Sequence, residues 1–171
     1  MSINYPKFTS FNYIFFDFDG IFTNNKVIVD SNGVESVVCS RSDGLAISAL
    51  KNYIKLNKFD INLFIISTEQ NPVVKHRSFK LKLQCLTGIN DKYGEICRIN
   101  KANRNYIYLG NDLNDFLSMK NSFFSVSPID AVKQIKEISS AIINKVGGDN
   151  FVYQFILNLF EANDVSISDY I

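Results

Sequence analysis

The sequence predicts an α/β fold in which a parallel sheet carries helices on both faces. Two observations predict it. Short β-prone apolar runs alternate with segments of helical periodicity along the chain. Polar residues, among them Asp, Asn and Gly, directly follow several of these runs. Because alternating strands and helices build parallel sheets, we expect these polar residues to meet at the carboxyl edge of one sheet.

The elements follow in chain order. A strand is predicted at 13–18, and β-prone runs at 26–29 and 34–39 flank Asp30-Ser-Asn-Gly33, which favours a β-hairpin. A helix over 45–56 begins after a cap at Ser42 or Asp43. The remaining predictions are a strand at 62–66, a helix from Pro72 to about 81, a strand at 83–86, a helix after Lys92, a strand at 106–109, a helix at 113–120, a strand at 123–126, and helices near 129–138 and 150–160. This order corresponds to a Rossmann-like sheet.

The length of 171 residues predicts a single domain over 1–171. Its core is expected at about 13–160. Residues 1–12 are expected to form a short leader to the first strand, and residues 161–171 a loosely held tail.

Charge and cysteine content limit the possible partners. Eighteen basic and 17 acidic residues leave a net charge of +1, which gives no electrostatic case for nucleic acid or an anionic membrane. The three cysteines show no paired spacing, and there is no N-terminal signal pattern and no membrane-length apolar run. These features favour a cytoplasmic protein with reduced thiols.

The first predicted strand ends in two carboxylates, Asp17 and Asp19, followed by Gly20. Alternate strand residues share a face, so both carboxylates point into one small volume, where a bound cation would relieve their repulsion. A hard-cation site beside a carboxylate nucleophile suits phosphoryl transfer through an aspartyl-phosphate. A simple turn and a calcium loop are the alternatives, although Gly in fourth place after a strand does not fit the calcium loop.

Other predicted strand ends and loops carry comparable groups. Ser67-Thr68-Glu69 follows the strand at 62–66, Asn111 to Asp115 follows the strand at 106–109, and Asp91-Lys92 stands at a helix start. Taken singly, Ser67 could be a cap, Lys92 a surface side chain, and Asn111 to Asp115 a polar turn. Their common position at the expected sheet edge favours one site.

These motifs together resemble those of the haloacid-dehalogenase-like (HAD) phosphatases. Asp17-Phe-Asp-Gly-Ile-Phe-Thr-Asn24, Arg41-Ser-Asp-Gly-Leu-Ala-Ile47 and Thr87-Gly-Ile-Asn-Asp-Lys92 are similar to the sugar-acid phosphatase group. That group includes 3-deoxy-D-manno-octulosonate 8-phosphate phosphatases, nonulosonic acid 9-phosphate phosphatases and the phosphatase-like domain of acylneuraminate cytidylyltransferases. The resemblance covers about residues 13–160.

The spacing between motifs leaves no room for a cap domain either between Gly20 and Ser67 or between Ser67 and Lys92. The resemblance implies that the hairpin flap, about 24–40, builds a homotetramer in which a neighbouring subunit helps to close the site. The apolar hairpin could instead fold back onto its own core.

The resemblance also implies roles for individual residues. Asp17 would be the nucleophile, Asp19 the general acid and base, and Lys92 a neutralising charge. Ser67, Thr68, Glu69, Arg41 and Arg77 would contact substrate, although Arg77 could lie on a solvated helix face and Asp43 could cap a helix. Mg²⁺ would be held by Asp17, Asp19, the Phe18 carbonyl and either Asn111 or Asp112, while Asp115 would orient Lys92 or metal-bound water.

Three departures from the family pattern bear on function. Asn111 stands where many members carry Asp, which lowers the charge available to a metal. Glu69 stands where octulosonate phosphatases carry Arg and resembles the nonulosonate group. Gly147-Gly148-Asp149-Asn150 replaces a Gly-Gly-Arg-Gly, so a possible contact to an acidic sugar is missing.

The resemblance therefore implies a Mg²⁺-dependent phosphoric monoester hydrolase acting on a small sugar-acid phosphate in surface-glycan synthesis. The substrate class would be a nonulosonate (sialic acid type) 9-phosphate or an octulosonate 8-phosphate of lipopolysaccharide biosynthesis. A second hypothesis is a weakly active or inactive oligomerisation module linked to acylneuraminate cytidylyltransferase. A third is a phosphatase acting on a macromolecule through its uncapped site.

Overall fold

The computed structural model describes residues 3–171, so residues 1 and 2 of the predicted leader lie outside the described residues. The strands are β1 (Tyr13–Phe16), β2 (Ile28–Val29), β3 (Glu35–Ser36), β4 (Asn62–Ile66), β5 (Gln84–Leu86), β6 (Tyr106–Leu109), β7 (Phe124–Pro128) and β8 (Ala141–Ile143). The helices are α1 (Arg41–Leu56), α2 (Pro72–Leu81), α3 (Lys92–Ile99), α4 (Phe116–Lys120), α5 (Lys133–Ile138) and α6 (Phe151–Glu161), with 3-10 turns at Leu113–Asp115 and Ile167–Tyr170.

Six strands form one sheet in the order β5-β4-β1-β6-β7-β8, and every pairing in it is parallel. Successive β1 side chains enter opposite layers, as the pleat requires. Ile14 and Phe16 join one core with α1 and α6, whereas Phe15 joins a second core with Ile96 of α3 and Ile135 of α5. The predicted α/β class with helices on both faces is therefore confirmed.

The segments between the motifs are short, as expected. Residues 21–66 contain only the β2–β3 hairpin, α1 and β4, and residues 68–91 contain only α2 and β5. No cap domain is present in either segment, which confirms that part of the prediction. None of the helices within residues 3–171 has the length and apolarity needed to cross a bilayer.

Several boundaries differ from the prediction. The three-residue strand β8 was not predicted, and α5 begins at Lys133 rather than near 129. The cap of α1 is Ser40, whose Oγ accepts the Ser42 amide at 3.1 Å. Asp43, one of the two predicted caps, instead accepts a hydrogen bond from the more distant Tyr153 amide.

Both ends of the described chain pack on the core. Phe8 and Phe11 are buried with α1 and α6, and the Phe8 and Phe160 rings meet edge to face at 5.8 Å. In the segment expected to be a loose tail, Ile167 is buried and Tyr170 lies edge to face against Tyr53 at 5.0 Å. The tail thus covers the outer end of α1 with aromatic surface, which its sparse sequence pattern does not reveal.

The hairpin is short and apolar on its outside. Its strands pair Ile28 with Ser36 and Val29 with Glu35. The exposed aliphatic side chains are Val27, Ile28, Val29, Val34 and Val38. A side-chain hydrogen bond joins the hairpin to the start of α2, because the capping residue Asn71 donates to Glu35 at 2.8 Å.

Asp43 links α1 to α6 from a completely buried position, because its Oδ1 accepts the Tyr153 amide at 2.9 Å. Burial raises the pKa of its carboxyl to about 6, while that hydrogen bond and the charge of Arg77 oppose the rise and Asp149 adds to it. The folded protein therefore binds this proton more tightly than the unfolded chain does. Stability contributed by this group is lost as the pH rises from about 4 to about 6.

We predict that Asp43→Asn flattens this pH dependence. Asparagine retains an acceptor oxygen for Tyr153 but carries no buried charge. The variant should gain stability relative to the wild type as the pH rises from 4 to 7, by up to about 3 kcal/mol. Urea unfolding at each pH measures the difference. A difference that stays constant over this range would show that Asp43 does not carry the dependence.

Candidate active site

A polar pocket of about 350 Å³ lies at the carboxyl edge of the sheet, where β1, β4 and β6 end side by side. This is the edge where ligands bind in parallel α/β sheets. Its lining residues are all polar: Asp17, Asp19, Asn25, Ser67, Thr68, Asn111, Asp112 and Asn114. A larger depression of about 480 Å³ lies near the opposite ends of β4 and β5 and carries no carboxylate.

Asp17 directly follows β1, and its amide donates to Leu109 of β6 at 2.9 Å. This bond continues the strand pairing by one residue and fixes the backbone of Asp17. The carboxylate is buried, and its Oδ1 accepts the Phe18 amide at 2.8 Å and the Lys92 ammonium at 2.7 Å. The side chain is thereby held on the pocket floor.

Lys92 lies between two buried carboxylates. Its Nζ is 2.7 Å from Asp17 Oδ1 and 2.7 Å from Asp115 Oδ1, and none of its side chain is exposed. Asp115 is also fully buried, and it accepts the Tyr108 hydroxyl at 2.7 Å through Oδ1 and the Asn111 amide at 3.0 Å through Oδ2. We call Asp17, Lys92 and Asp115 the buried charge triad.

The triad shifts the pKa of its members. Burial raises the pKa of Asp17 above its ordinary value, the charge of Asp115 adds to this rise, and Lys92 opposes both effects. Burial lowers the pKa of Lys92, but the two carboxylates outweigh burial and hold it above its usual value. Two acids facing one ammonium leave an excess negative charge that a bound cation would relieve.

Asp19 also lines the pocket and is more exposed to solvent than Asp17. Its Oδ1 accepts the Thr23 hydroxyl at 3.1 Å. Burial raises the pKa of Asp19, Thr23 opposes this, and the negative charges of Glu69 and Glu35 raise it further. A carboxyl in this environment holds a proton more readily than an ordinary surface Asp.

Gly20 allows the Asn111 side chain to pack against the loop that follows Asp19. Its φ of +78° is left-handed, and a Cβ at this position would lie 2.0 Å from Asn111 Nδ2. Only glycine therefore permits Asn111 to approach the loop after Asp19.

Ser67 and Thr68 form the β4 side of the pocket. The Ser67 amide donates to Leu86 of β5 at 2.9 Å, and its Oγ accepts the Glu69 amide at 3.0 Å. Because Oγ acts as an acceptor for the backbone, its own hydroxyl hydrogen is available to a ligand. The Glu69 carboxylate turns away to accept the Gln70 and Asn71 amides at 2.7 and 2.9 Å, and Glu69 does not line the pocket.

Asn111 supplies a candidate metal ligand. It is 6% exposed, and its Oδ1 is buried without a hydrogen-bond partner. Asp112 Oδ1, in contrast, already accepts the Leu113 amide at 2.7 Å. Within residues 3–171 no three His, Cys, Asp or Glu side chains converge on a metal-sized site, so a cation here would need amide or carbonyl oxygen beside Asp17 and Asp19. Hard cations such as Mg²⁺ bind oxygen ligands of this kind, so the residues around the pocket are suited to hold a divalent cation.

The structure does not bring Arg41 and Arg77 into this pocket. Both line a separate depression between α1 and α2, and the Arg77 guanidinium donates to the Ser40 carbonyl at 2.7 Å. Their predicted substrate contacts remain a prediction.

Three residues near the site were not singled out from the sequence. Asn25 and Asn114 line the pocket, and Tyr108 donates to Asp115. Asn25 adopts a φ of +61°, a conformation that Asn tolerates, and Asn114 lies within the polar motif after β6. Tyr108 offered no signal, because it belongs to a strand pattern that aromatic residues commonly fill.

We predict that Asp115→Asn strongly destabilises the fold. It leaves buried Lys92 with one carboxylate and turns an amide nitrogen toward groups that donate hydrogen bonds. The free energy of unfolding should fall by about 3 kcal/mol or more. In the control Glu95→Gln, an exposed pair with Arg98 is lost, and the cost should stay below about 1 kcal/mol. If urea unfolding gives the same loss of stability for Asp115→Asn and Glu95→Gln, the buried triad contributes no more to stability than an exposed ion pair.

Comparison with known proteins identifies the family. No family model matches the sequence. A HAD family protein from Streptomyces avermitilis superposes with a TM-score of 0.80 at 32% identity, over 91% of this chain and 95% of that one. The 3-deoxy-D-manno-octulosonate 8-phosphate phosphatase of Moraxella catarrhalis, in complex with magnesium, phosphate and the sugar, gives a TM-score of 0.82 at 25% identity over 92% and 90%.

A third structure, the cobalt-bound deoxy-D-mannose-octulosonate 8-phosphate phosphatase of Haemophilus influenzae, shares the fold with a TM-score of 0.78 at 20% identity over 93% and 92% of the two chains. The predicted resemblance is thus confirmed over most of the chain. The Moraxella neighbour supports phosphoric monoester hydrolase as the enzyme class. This chain belongs to the HAD family.

Proposed function

We propose that this protein is a Mg²⁺-dependent phosphatase that hydrolyses a sugar-acid phosphate through an aspartyl-phosphate on Asp17. The observation that carries the proposal is the buried charge triad at the floor of an acidic pocket. It holds one carboxylate, Asp17, in a fixed position at the end of β1. Asp19 lies two residues further along the chain in the same pocket.

In the first step, an Asp17 oxygen attacks phosphorus, and the bond between phosphorus and the sugar oxygen breaks. Asp19 protonates the departing sugar oxygen, and its raised pKa favours the protonated form that this requires. In the second step, Asp19 takes a proton from water, which attacks phosphorus and releases inorganic phosphate and free Asp17.

Phosphoryl oxygens would be held by Ser67 and Thr68, which line the pocket, and Lys92 would act on them through its charge from below the pocket floor. The free hydroxyl hydrogen of Ser67 points to a role as donor. Lys92 neutralises charge on Asp17 and on the phosphoryl group without leaving Asp115, because an ammonium has three hydrogens to share.

The metal ligands would be the Asp17 carboxylate, the backbone carbonyl of Asp19 and Asn111, which leaves the Asp19 carboxyl free to carry a proton. The Phe18 carbonyl, a ligand expected from the resemblance, is less suitable because it already accepts the Ile21 and Phe22 amides at 3.3 and 2.9 Å. Asn111 is preferred over Asp112 because its Oδ1 is buried and unpartnered, whereas an Asp112 oxygen already serves the backbone. Bound Mg²⁺ would offset the negative charge of the carboxylates and the phosphate. The magnesium and cobalt ions of the solved neighbours support a divalent cation.

We propose a nonulosonate 9-phosphate (sialic acid type) or an octulosonate 8-phosphate as substrate, in cytoplasmic synthesis of lipopolysaccharide or related surface glycans. The sugar bound to the Moraxella neighbour supports this class, and the free thiols of Cys39, Cys85 and Cys97 suit a reducing compartment. Glu69 favours the nonulosonate member, following the resemblance. Arg41 and Arg77 would reach a substrate only if its far end extends beyond the described pocket.

We also propose that the protein forms a homotetramer through the hairpin. Five aliphatic side chains are exposed on a segment of about a dozen residues, which is costly in water unless another surface covers them. The same exposed surface is also compatible with the alternative function, a weakly active oligomerisation module. Two sequence departures favour that alternative: Asn111 stands where many family members carry Asp, and Asp149 stands where the family carries Arg. The intact triad favours the enzyme.

We predict Mg²⁺-dependent phosphate release from N-acetylneuraminate 9-phosphate, octulosonate 8-phosphate or both, assayed side by side. Asp17→Asn removes the nucleophile and should lower the rate by about 1,000-fold or more. A folded Asp17→Asn protein serves as the blank. Release equal to that blank from both sugars would contradict the proposal and favour the module.

We predict that Asn111→Asp lowers the Mg²⁺ concentration needed for half-maximal activity by about tenfold, because it adds a charge to the ligand set. Asn114→Asp is the matched control. It adds the same charge to the same pocket from a residue outside the proposed ligand set, and it should change that concentration by less than about twofold. Equal effects of the two variants would mean that Asn111 is not a ligand.

A further inference from the structure

Charge is unevenly distributed along this nearly neutral chain. Residues 41–59 and 70–90 contain eight of its 18 Lys and Arg residues but only one of its 17 Asp and Glu residues, Asp43. The rest of the chain therefore has ten basic and sixteen acidic residues. The net charge of +1 conceals a strongly basic segment pair on an otherwise acidic protein.

The fold places these two segments side by side, as α1 and α2. Two adjoining depressions of about 480 and 320 Å³ share Ser48, Lys51 and Lys82 and form one continuous groove. It extends along α1 from Arg41 to Lys55, about 20 Å at 1.5 Å per residue. We call this groove the cationic cleft, and its basic lining residues are Arg41, Lys51, Lys55, Arg77, Lys80 and Lys82.

Most of the positive charge of the cleft has no carboxylate partner within the described chain, although the Arg77 charge acts on buried Asp43. None of its six basic side chains forms a salt bridge inside residues 3–171. Lys51 donates only to the Leu81 and Lys82 carbonyls, at 3.2 and 3.0 Å. Arg77 donates to the Ser40 carbonyl, and its Nε is buried without a partner. Asp43, the nearby acid, is buried and bonded to α6.

The larger end of the cleft is remote from the candidate active site. It is lined by Ile61, Asn62 and Leu83, which lie at the amino ends of β4 and β5. The active-site pocket lies at the carboxyl ends of the strands, and the two sets of lining residues have no member in common. The triad and the pocket therefore do not account for the cleft.

Exposed apolar side chains lie on the same two helices as the basic residues, outside the lining of the two depressions. Phe79 of α2 is 83% exposed, and Leu45 and Leu56 of α1 are 44% and 70% exposed. Leu45 lies four residues after Arg41 and three before Ser48, which places it on the same stripe of the helix. Large exposed apolar groups beside unpaired charges are typical of a surface that is covered by a protein partner.

We propose that the cationic cleft binds an extended acidic segment of a partner protein that also carries apolar side chains. Carboxylates of the partner would pair with the free lysines and arginines, and its apolar side chains would cover Phe79 and Leu45. Polyphosphate or nucleic acid would match the charge but would leave most of the apolar surface uncovered, and the acidic remainder of the chain would repel it. The protein partner fits both properties.

Binding is measured by fluorescence anisotropy with a fluorescein-labelled peptide. The peptide has about eight residues, two of them leucine and the rest glutamate, and in an extended conformation it is long enough to span the cleft. Comparison probes are the same peptide with serine in place of leucine, and an oligo-dT of similar length. The tested variant is Lys55→Glu with Lys80→Glu. The matched control is Lys120→Glu with Lys133→Glu, which changes the net charge equally on exposed positions elsewhere.

The wild type should bind the leucine peptide more tightly than the serine peptide or the oligo-dT. The cleft variant should weaken this binding about tenfold or more, and the control by less than about twofold. Phe79→Ser should weaken the leucine peptide about threefold without affecting the serine peptide. Phosphatase activity should be unchanged in all three variants.

Three results would overturn the proposal. The first is absent binding, or an equal loss in the cleft variant and the control. The second is oligo-dT binding as tight as that of the leucine peptide, which would indicate a polyanion site. The third is self-association of the wild type that the cleft variant abolishes in sedimentation, which would indicate a second copy of this chain as the occupant.

Discussion

The buried ammonium of Lys92 is the constraint on which the site depends. A charge without exposed surface is tolerable only when fixed partners surround it, and Asp17 and Asp115 both lie 2.7 Å away. These three residues stand at the end of β1, at the start of α3 and after β6. The triad therefore fixes the relative positions of three loops at one sheet edge. The contacts that neutralise the Lys92 charge are thus the same contacts that hold Asp17 in the position of the proposed nucleophile.

Backbone packing imposes a second constraint on the same edge. A Cβ at Gly147 would lie 2.1 Å from the Gly20 carbonyl oxygen, and one at Gly148 would lie 2.6 Å from the Thr23 carbonyl carbon. The loop before α6 thus packs directly on the loop that carries Asp19. This explains why both glycines are needed here even though Asp149 replaces the expected Arg. Their packing function is independent of any side chain at position 149.

The sequence predicted the fold class and the clustering of Asp17, Ser67, Lys92 and Asp115, because strand ends in a parallel sheet must share an edge. It could not predict β8, since three residues carry too little periodicity and the strand exists only by pairing with β7. Asp43 was ambiguous for a similar reason: its partner, Tyr153, is 110 residues away. The separation of Arg41 and Arg77 from the pocket depends on helix placement, which local patterns do not define.

The balance of charge in the pocket makes an amide at position 111 compatible with the phosphate binding that we propose. Asp17, Asp19, Asp112 and Asp115 face one ammonium, so the pocket repels a phosphate dianion until a cation joins it. A further carboxylate would strengthen the cation site but would also add to the repulsion of the substrate. If Asn111 is a ligand as proposed, an uncharged oxygen would contact the cation and the total charge of the pocket would stay lower. Under the proposed function, weaker metal binding and a lower barrier to phosphate entry would therefore both follow from this one residue.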